Sequence, residues 1–198
     1  KIKDKTILEY IINHLLKSDI KNIIVASGYK HYLVKKFINV KYKKKVEVKN
    51  TSIDVDILER IKNITKNKKG EFLVCYGDTL ADININKLIK KYLLNKKKLI
   101  ISSYELKSSF GILNIYKNSN AVIKFREKPN LNIWFNIGYF IFSQKYIKIL
   151  SRFKKFENFL HFCSKKKFMS TYKHLGQHIT VNTISELEEA KSKIYKFI

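Results

Sequence analysis

Asp78 is the side chain on which chemistry could turn. It stands in Glu71-Phe-Leu-Val-Cys-Tyr-Gly-Asp-Thr-Leu-Ala-Asp82. Phe72 to Tyr76 is an unbroken apolar run between Gly70 and Gly77, the pattern of a strand buried on both faces, as in parallel sheets. At Gly77-Asp78-Thr79 the chain turns, and a helical pattern follows soon after. Open α/β sheets bind their ligands at the carboxyl ends of strands. A carboxylate placed there can hold Mg²⁺, a hard cation that favours oxygen ligands and nucleotide phosphates. The same tripeptide also makes a plain turn closed by an Asx-type hydrogen bond, so its surroundings decide.

Those surroundings are elements that could position it. Thr6-Ile-Leu-Glu9 reads as a capping box, and Ile7, Leu8, Ile11, Ile12, Leu15 and Leu16 recur at helical spacing to Lys17. Asn22 to Gly28 reads as a buried strand ending in a glycine turn, Tyr32 to Ile38 as a helix, and Lys45 to Lys49 as an alternating strand. A short helix over Asp56 to Ile64 and a polar turn, Lys66 to Gly70, lead into the central strand, and Ile85 to Leu94 is helical again. Strand–helix alternation of this kind builds a parallel sheet covered by helices. The second half is richer in strands: Lys98–Glu105, Phe110–Tyr116, Ala121–Arg126 and Trp134–Phe142. Helical patterns return at Gln144–Leu150 and Glu157–Cys163, followed by strands at Phe168–Lys173 and Ile179–Val181. A last helix starts at Thr183, boxed by Glu186, and runs to Lys193. The expected fold is α/β: an α/β/α sandwich with a mostly parallel mixed sheet and a small β-rich insertion near the active edge.

The 198 residues suit one domain. The net charge of +25 comes almost wholly from lysine, since only Arg60, Arg126 and Arg152 among 41 basic residues are arginine. Readers of bases and phosphates rely on arginine forks. Lysine is instead scattered at helix ends and turns, which disfavours a dedicated nucleic-acid surface, while the positive field attracts phosphorylated substrates. No apolar run has the ~18–20 residues a membrane span needs. Cys75 and Cys163 lack metal-ligand spacing, which points to reduced thiols and a cytoplasmic setting. A homo-oligomer is compatible with this composition.

Four groups of residues then coincide. They are Lys5-Thr-Ile-Leu-Glu-Tyr10 with Ile20 to Lys30; Tyr76-Gly-Asp-Thr-Leu-Ala-Asp82; Phe110-Gly-Ile-Leu113 with Phe125-Arg-Glu-Lys-Pro129; and Asn136-Ile-Gly-Tyr-Phe-Ile-Phe142. In this order and spacing the chain resembles the sugar-phosphate nucleotidyltransferases, most closely the glucose-1-phosphate cytidylyltransferases. The resemblance implies a Rossmann-like fold and attack of a sugar 1-phosphate oxygen on the α-phosphorus of a nucleoside triphosphate, releasing pyrophosphate. Such in-line transfer needs positioning and charge neutralisation.

Residue by residue, the resemblance makes Asp78 the Mg²⁺ ligand and Lys128 the lysine that meets the sugar phosphate, with Glu127 gripping sugar hydroxyls. Glu127 and Lys128 read by themselves as a solvated turn before Pro129. Gly111 and Gly138 match close approaches of backbone to sugar, and Asn136 is either a cap or a sugar contact. Tyr76 and Gly77 adjoin the nucleotide. Thr51, Ser52 and Arg60 match the loop that reads base and ribose, although Leu58 and Glu59 stand where the family has paired glycines. Arg60 also reads as an ordinary helix-surface residue.

Two departures stand out. The family's first strand and glycine-rich triphosphate loop have no counterpart from Lys1 onward, which leads us to expect a functional chain longer at its N-terminus. Asn182 stands where the family carries a second metal-binding Asp, and reads equally as a weaker oxygen ligand or a helix cap. His174 and His178 are four apart, but the stretch between them reads as a turn and not as a ligand-bearing face. CTP and glucose 1-phosphate are the expected substrates. Cytidylyl or guanylyl transfer to phosphocholine or a heptose phosphate, or an inactive relative serving as a binding subunit, are the rivals.

Overall fold

The computed structural model of the chain describes residues 1–96, 98–181 and 183–197. Helix α1 (Ile7–Leu16) starts where Thr6 Oγ1 accepts the Glu9 amide at 3.1 Å. Only half of the expected box forms there. The Glu9 carboxylate is buried and turned to the ammonium of Lys41 on the next helix instead of back to the cap. Strands β1 (Ile23–Ser27) and β2 (Val46–Asn50) pair in parallel across α2 (His31–Tyr42), which is longer than predicted. Asp56 caps α3 (Ile57–Thr65) by accepting the Glu59 amide at 2.9 Å.

The main sheet has the order β3 (Glu71–Cys75), β8 (Asn130–Ser143), β5 (Leu99–Lys107), β9 (Met169–His174). Here one expectation is corrected. β3 stands at an end of this sheet, paired antiparallel with β8, and Phe72 to Cys75 are half-buried. The cause is β8, whose 14 residues return antiparallel beside both β3 and β5. Parallel pairing is confined, among the described residues, to β1–β2 and β5–β9.

β8 feeds two cores by alternation. Ile137, Tyr139 and Ile141 pack with Ile12, Leu80, Leu88 and Tyr92, whereas Phe140 and Phe142 pack with Leu99, Tyr146, Phe156 and Phe159. Each of these phenylalanines is fully buried, contributing roughly 1.5–3 kcal/mol by removal from water. Helix α4 (Ile85–Leu94) lies on the first core, and α5 (Gln144–Leu150) and α6 (Phe156–Lys165) on the second.

Two small ribbons complete the structure. The expected β-rich insertion is β6 (Ile112–Ile115) with β7 (Val122–Arg126), a hairpin exposing Leu113, Ile115, Val122 and Phe125. β4 (Thr79–Ala81) pairs antiparallel with β10 (His178–Thr180), ahead of α7 (Ile184–Lys193). At α7 the box is complete: Thr183 Oγ1 accepts the Glu186 amide at 3.2 Å, and Glu186 accepts the Thr183 amide at 2.9 Å.

Candidate active site

Where β3 ends, the Tyr76 amide still donates to the Gly138 carbonyl at 3.0 Å, and then the chain swings away from the sheet. Gly77 and Asp78 are exposed, while Thr79 is buried at the start of β4. Asp78 is therefore held by its backbone and exposed at its side chain. Its carbonyl accepts the Val181 amide at 3.0 Å. Its Oδ1 accepts the Thr79 hydroxyl at 3.1 Å, and the carboxylate faces solvent. This donor set fits Mg²⁺, which takes one or two carboxylates and completes its shell with phosphate oxygens and water. Among the described residues no group of three or more His, Cys, Asp or Glu could hold a metal alone. Asn182 lies outside the described residues; its neighbour Val181 is the residue bonded to Asp78.

Beside Asp78, Tyr76, Asn136 and Gly138 form one unit. Asn136 Oδ1 accepts the Gly138 amide at 2.8 Å. Burial raises the pKa of the Tyr76 hydroxyl, and the Asn136 side chain works against the rise. Gly138 has φ +78°, and a Cβ there would meet the Tyr76 ring at 2.6 Å. Both facts require glycine. The neighbour pressing on Gly138 is thus the Tyr76 ring.

A second unit gathers Thr51, Ser52 and Arg60. Arg60 projects from α3, but its guanidinium is not on an idle helix surface. Nη1 donates to Thr51 Oγ1 at 2.5 Å and to the Ser52 carbonyl at 3.1 Å, and Nη2 to the Ile53 carbonyl at 3.4 Å. Thr51 in turn ties the loop to β1 through the Ser27 carbonyl. A Cβ on Gly28 would lie 2.2 Å from the Ser52 carbonyl oxygen. Sequence reasoning saw Gly28 only as a turn. Its second duty is to let β1 and this loop touch, and the only signal in the sequence was a glycine at the end of a strand.

The third unit belongs to the hairpin. A Cβ on Gly111 would meet the Phe125 ring at 2.5 Å and Glu127 Oε2 at 3.1 Å, so Gly111 and Glu127 are neighbours. Lys128 follows in a left-handed conformation, φ +43°, between β7 and β8. It is exposed and forms no ion pair among the described residues. The structure links Glu127 to Gly111 but gives Lys128 no direct contact with Asp78. A cavity of about 50 Å³ lies between α1 and β4, and a hollow of about 450 Å³ at the hairpin tip; Asp78 lines neither.

His174 and His178 act structurally. His174 Nε2 lies 3.0 Å from both Asp82 Oδ1 and the Gln177 carbonyl. His178 packs on Tyr104 and Phe135, and burial, helped by the nearby His174, lowers its pKa to about 4.

Comparison with known proteins identifies the family. Residues 1–177 match the family model described as nucleotidyl transferase. A D-glycero-alpha-D-manno-heptose 1-phosphate guanylyltransferase from Campylobacter jejuni is 31% identical over 134 residues, covering 64% of this chain and 57% of the relative. A glucose-1-phosphate cytidylyltransferase from Salmonella typhimurium is 25% identical over 176 residues, covering 75% of this chain and 67% of the relative. The chain thus spans little more than half the length of the heptose-phosphate relative. Among solved structures, HddC from Yersinia pseudotuberculosis superposes with a TM-score of 0.71 at 22% identity, covering 98% of this chain and 88% of that one. A putative glucose-1-phosphate thymidylyltransferase from Bacillus anthracis gives 0.72 at 16% identity, covering 94% and 81%. These likenesses carry the fold, and the match over residues 1–177 places the chain in the nucleotidyl transferase family.

Proposed function

We propose that this chain carries the sugar-phosphate site of a Mg²⁺-dependent nucleotidyltransferase, which joins a nucleoside triphosphate to a sugar 1-phosphate and releases pyrophosphate. The observation that carries the reading is Asp78: an exposed carboxylate on a backbone pinned by Val181, at the end of β3. Asp78 would hold Mg²⁺, which would supply positive charge against the phosphates of the two reactants. Asp78 holds that charge in place. Tyr76, Asn136 and Gly138 shape the floor beside it, the Arg60-braced loop meets base and ribose, Lys128 meets the sugar phosphate and Glu127 the sugar hydroxyls. Lysine scattered over the surface gives a positive field that attracts both anionic substrates.

CTP with glucose 1-phosphate is one substrate pair. GTP with a heptose 1-phosphate is the other, and the 31% identity to the guanylyltransferase favours it as strongly as the motifs favour the first. Pyrophosphate release from the full-length protein, measured with each triphosphate against each sugar phosphate, separates them. No release with any pair would identify an inactive relative. Among the described residues no helix is long and apolar enough to cross a membrane, and free thiols at Cys75 and Cys163 fit a cytoplasmic setting.

A further inference from the structure

The carboxylate of Asp82 has no part in the roles above, yet it is a hub. Its Oδ1 accepts the Gln177 amide at 2.6 Å and faces His174 Nε2 at 3.0 Å. That nitrogen faces a second acceptor, the Gln177 carbonyl, and so carries the hydrogen. A Cβ on Gly176 would lie 2.2 Å from Asp82 Oδ1 and 2.8 Å from His174 Cε1, so the turn passes directly against the carboxylate and the ring. His174 is 5% exposed, with Tyr104 packed against it and against His178.

From this hub a short ladder runs to Asp78. The Asp82 amide donates to the Gln177 carbonyl at 3.3 Å. Then Ala81 faces His178, Leu80 faces Ile179 and Thr79 faces Thr180. The last rung is the Val181 amide on the Asp78 carbonyl. β10 is only three residues long, too short to keep its register unaided. Asp82 fixes one end of the ribbon, and Asp78 sits at the other.

We propose that Asp82 is a positioning residue for Asp78. It works as a hydrogen-bond acceptor that locks β10 onto β4, and does not itself ligate metal. The inference rests on reading Asp78 as the Mg²⁺-holding carboxylate. Outer partners that orient a metal ligand typically carry about 10–100-fold in affinity.

The test uses the full-length protein with Asp82→Ala, Asp82→Asn and Asp78→Asn. Mn²⁺ binding in the presence of nucleoside triphosphate is read by electron paramagnetic resonance, and the Mg²⁺ dependence of pyrophosphate release is measured alongside. Asp82→Ala is expected to weaken Mn²⁺ binding and raise the half-saturating Mg²⁺ about 10-fold, with kcat at saturating Mg²⁺ kept within about 3-fold. Asp82→Asn keeps an acceptor oxygen without the charge, and recovers the wild-type Mn²⁺ affinity within about 2-fold. Should Asp82→Ala fail to fold, His174→Ala removes one of the two side-chain bonds and is read in the same way. If Asp82→Asn binds Mn²⁺ as poorly as Asp82→Ala, the charge itself acts and the positioning role is overturned. If Asp78→Asn weakens binding while Asp82→Ala does not, the inference alone falls. If Asp78→Asn leaves Mn²⁺ binding intact, the metal reading falls and takes the inference with it.

Discussion

The Val181 amide donates to the Asp78 carbonyl at 3.0 Å. This bond brings the stretch before α7 alongside the end of β3, although the two are far apart in sequence. It also explains how a side chain in an exposed turn is held in one place. The carbonyl is anchored in a ladder, and the carboxylate is left to a ligand.

Replacing Asp78 with Asn should lower turnover by at least ~10²-fold, the range for losing a charge partner in the transition state. The melting temperature should stay within about 2 °C, because among the described residues the exposed side chain makes one hydrogen bond, to Thr79. Steady-state pyrophosphate release and calorimetry on the same samples check both halves. Unchanged turnover would move the metal elsewhere.

The two glycines flanking Tyr76 in space should part company. Gly138→Ala puts a Cβ at φ +78° and 2.6 Å from the Tyr76 ring. We expect a loss of about 2–4 kcal/mol, seen as a melting point lower by roughly 5–12 °C. A Cβ on Gly77 meets nothing within 4 Å, so Gly77→Ala should cost under about 1 kcal/mol. A fall in activity with Gly77→Ala would then report ligand approach instead of folding.

His178 makes stability depend on pH in one direction. Its folded pKa lies near 4, below the ordinary 6.5. Between those values the unfolded chain binds the extra proton, so stability is full above pH 6.5 and is lost as pH falls toward 4. After discounting for partial exposure, the loss is about 1–2 kcal/mol. Urea denaturation at pH 7, 5.5 and 4 should show it, and His178→Gln should flatten that slope. An unchanged slope in the variant would assign the acid sensitivity to other groups.

Both thiols should resist modification in the native state. Burial pushes Cys75 up to about 12 and Cys163 up to about 11. Since the thiolate is the reactive form, iodoacetamide at pH 8 should label native protein at least ~100-fold more slowly than denatured protein. Rapid labelling of Cys75 in the native state would mean that β3 opens readily.

Much of this was legible from residue types. Thr6, Asp56 and Thr183 mark helix starts through their own hydroxyls and carboxylate, a local signal. The turn at Gly77-Asp78 is equally local. Pairing direction was not legible, because the apolar run Phe72–Cys75 looks the same beside a parallel or an antiparallel neighbour, and β8 lies far along the chain. Glu9 failed as a box partner for a related reason: Lys41, a helix away, offers its buried carboxylate a charge that a backbone amide cannot match. The role of Asp82 was hidden in the same way, since its partners at Gln177 and His174 become neighbours only when β10 folds onto β4.

β8 also sets a parity for the molecule. Odd-numbered Ile137, Tyr139 and Ile141 serve one face of the sheet, and even-numbered Phe140 and Phe142 the other. A single inserted or deleted residue between Gly138 and Ser143 would exchange the occupants of both faces at once.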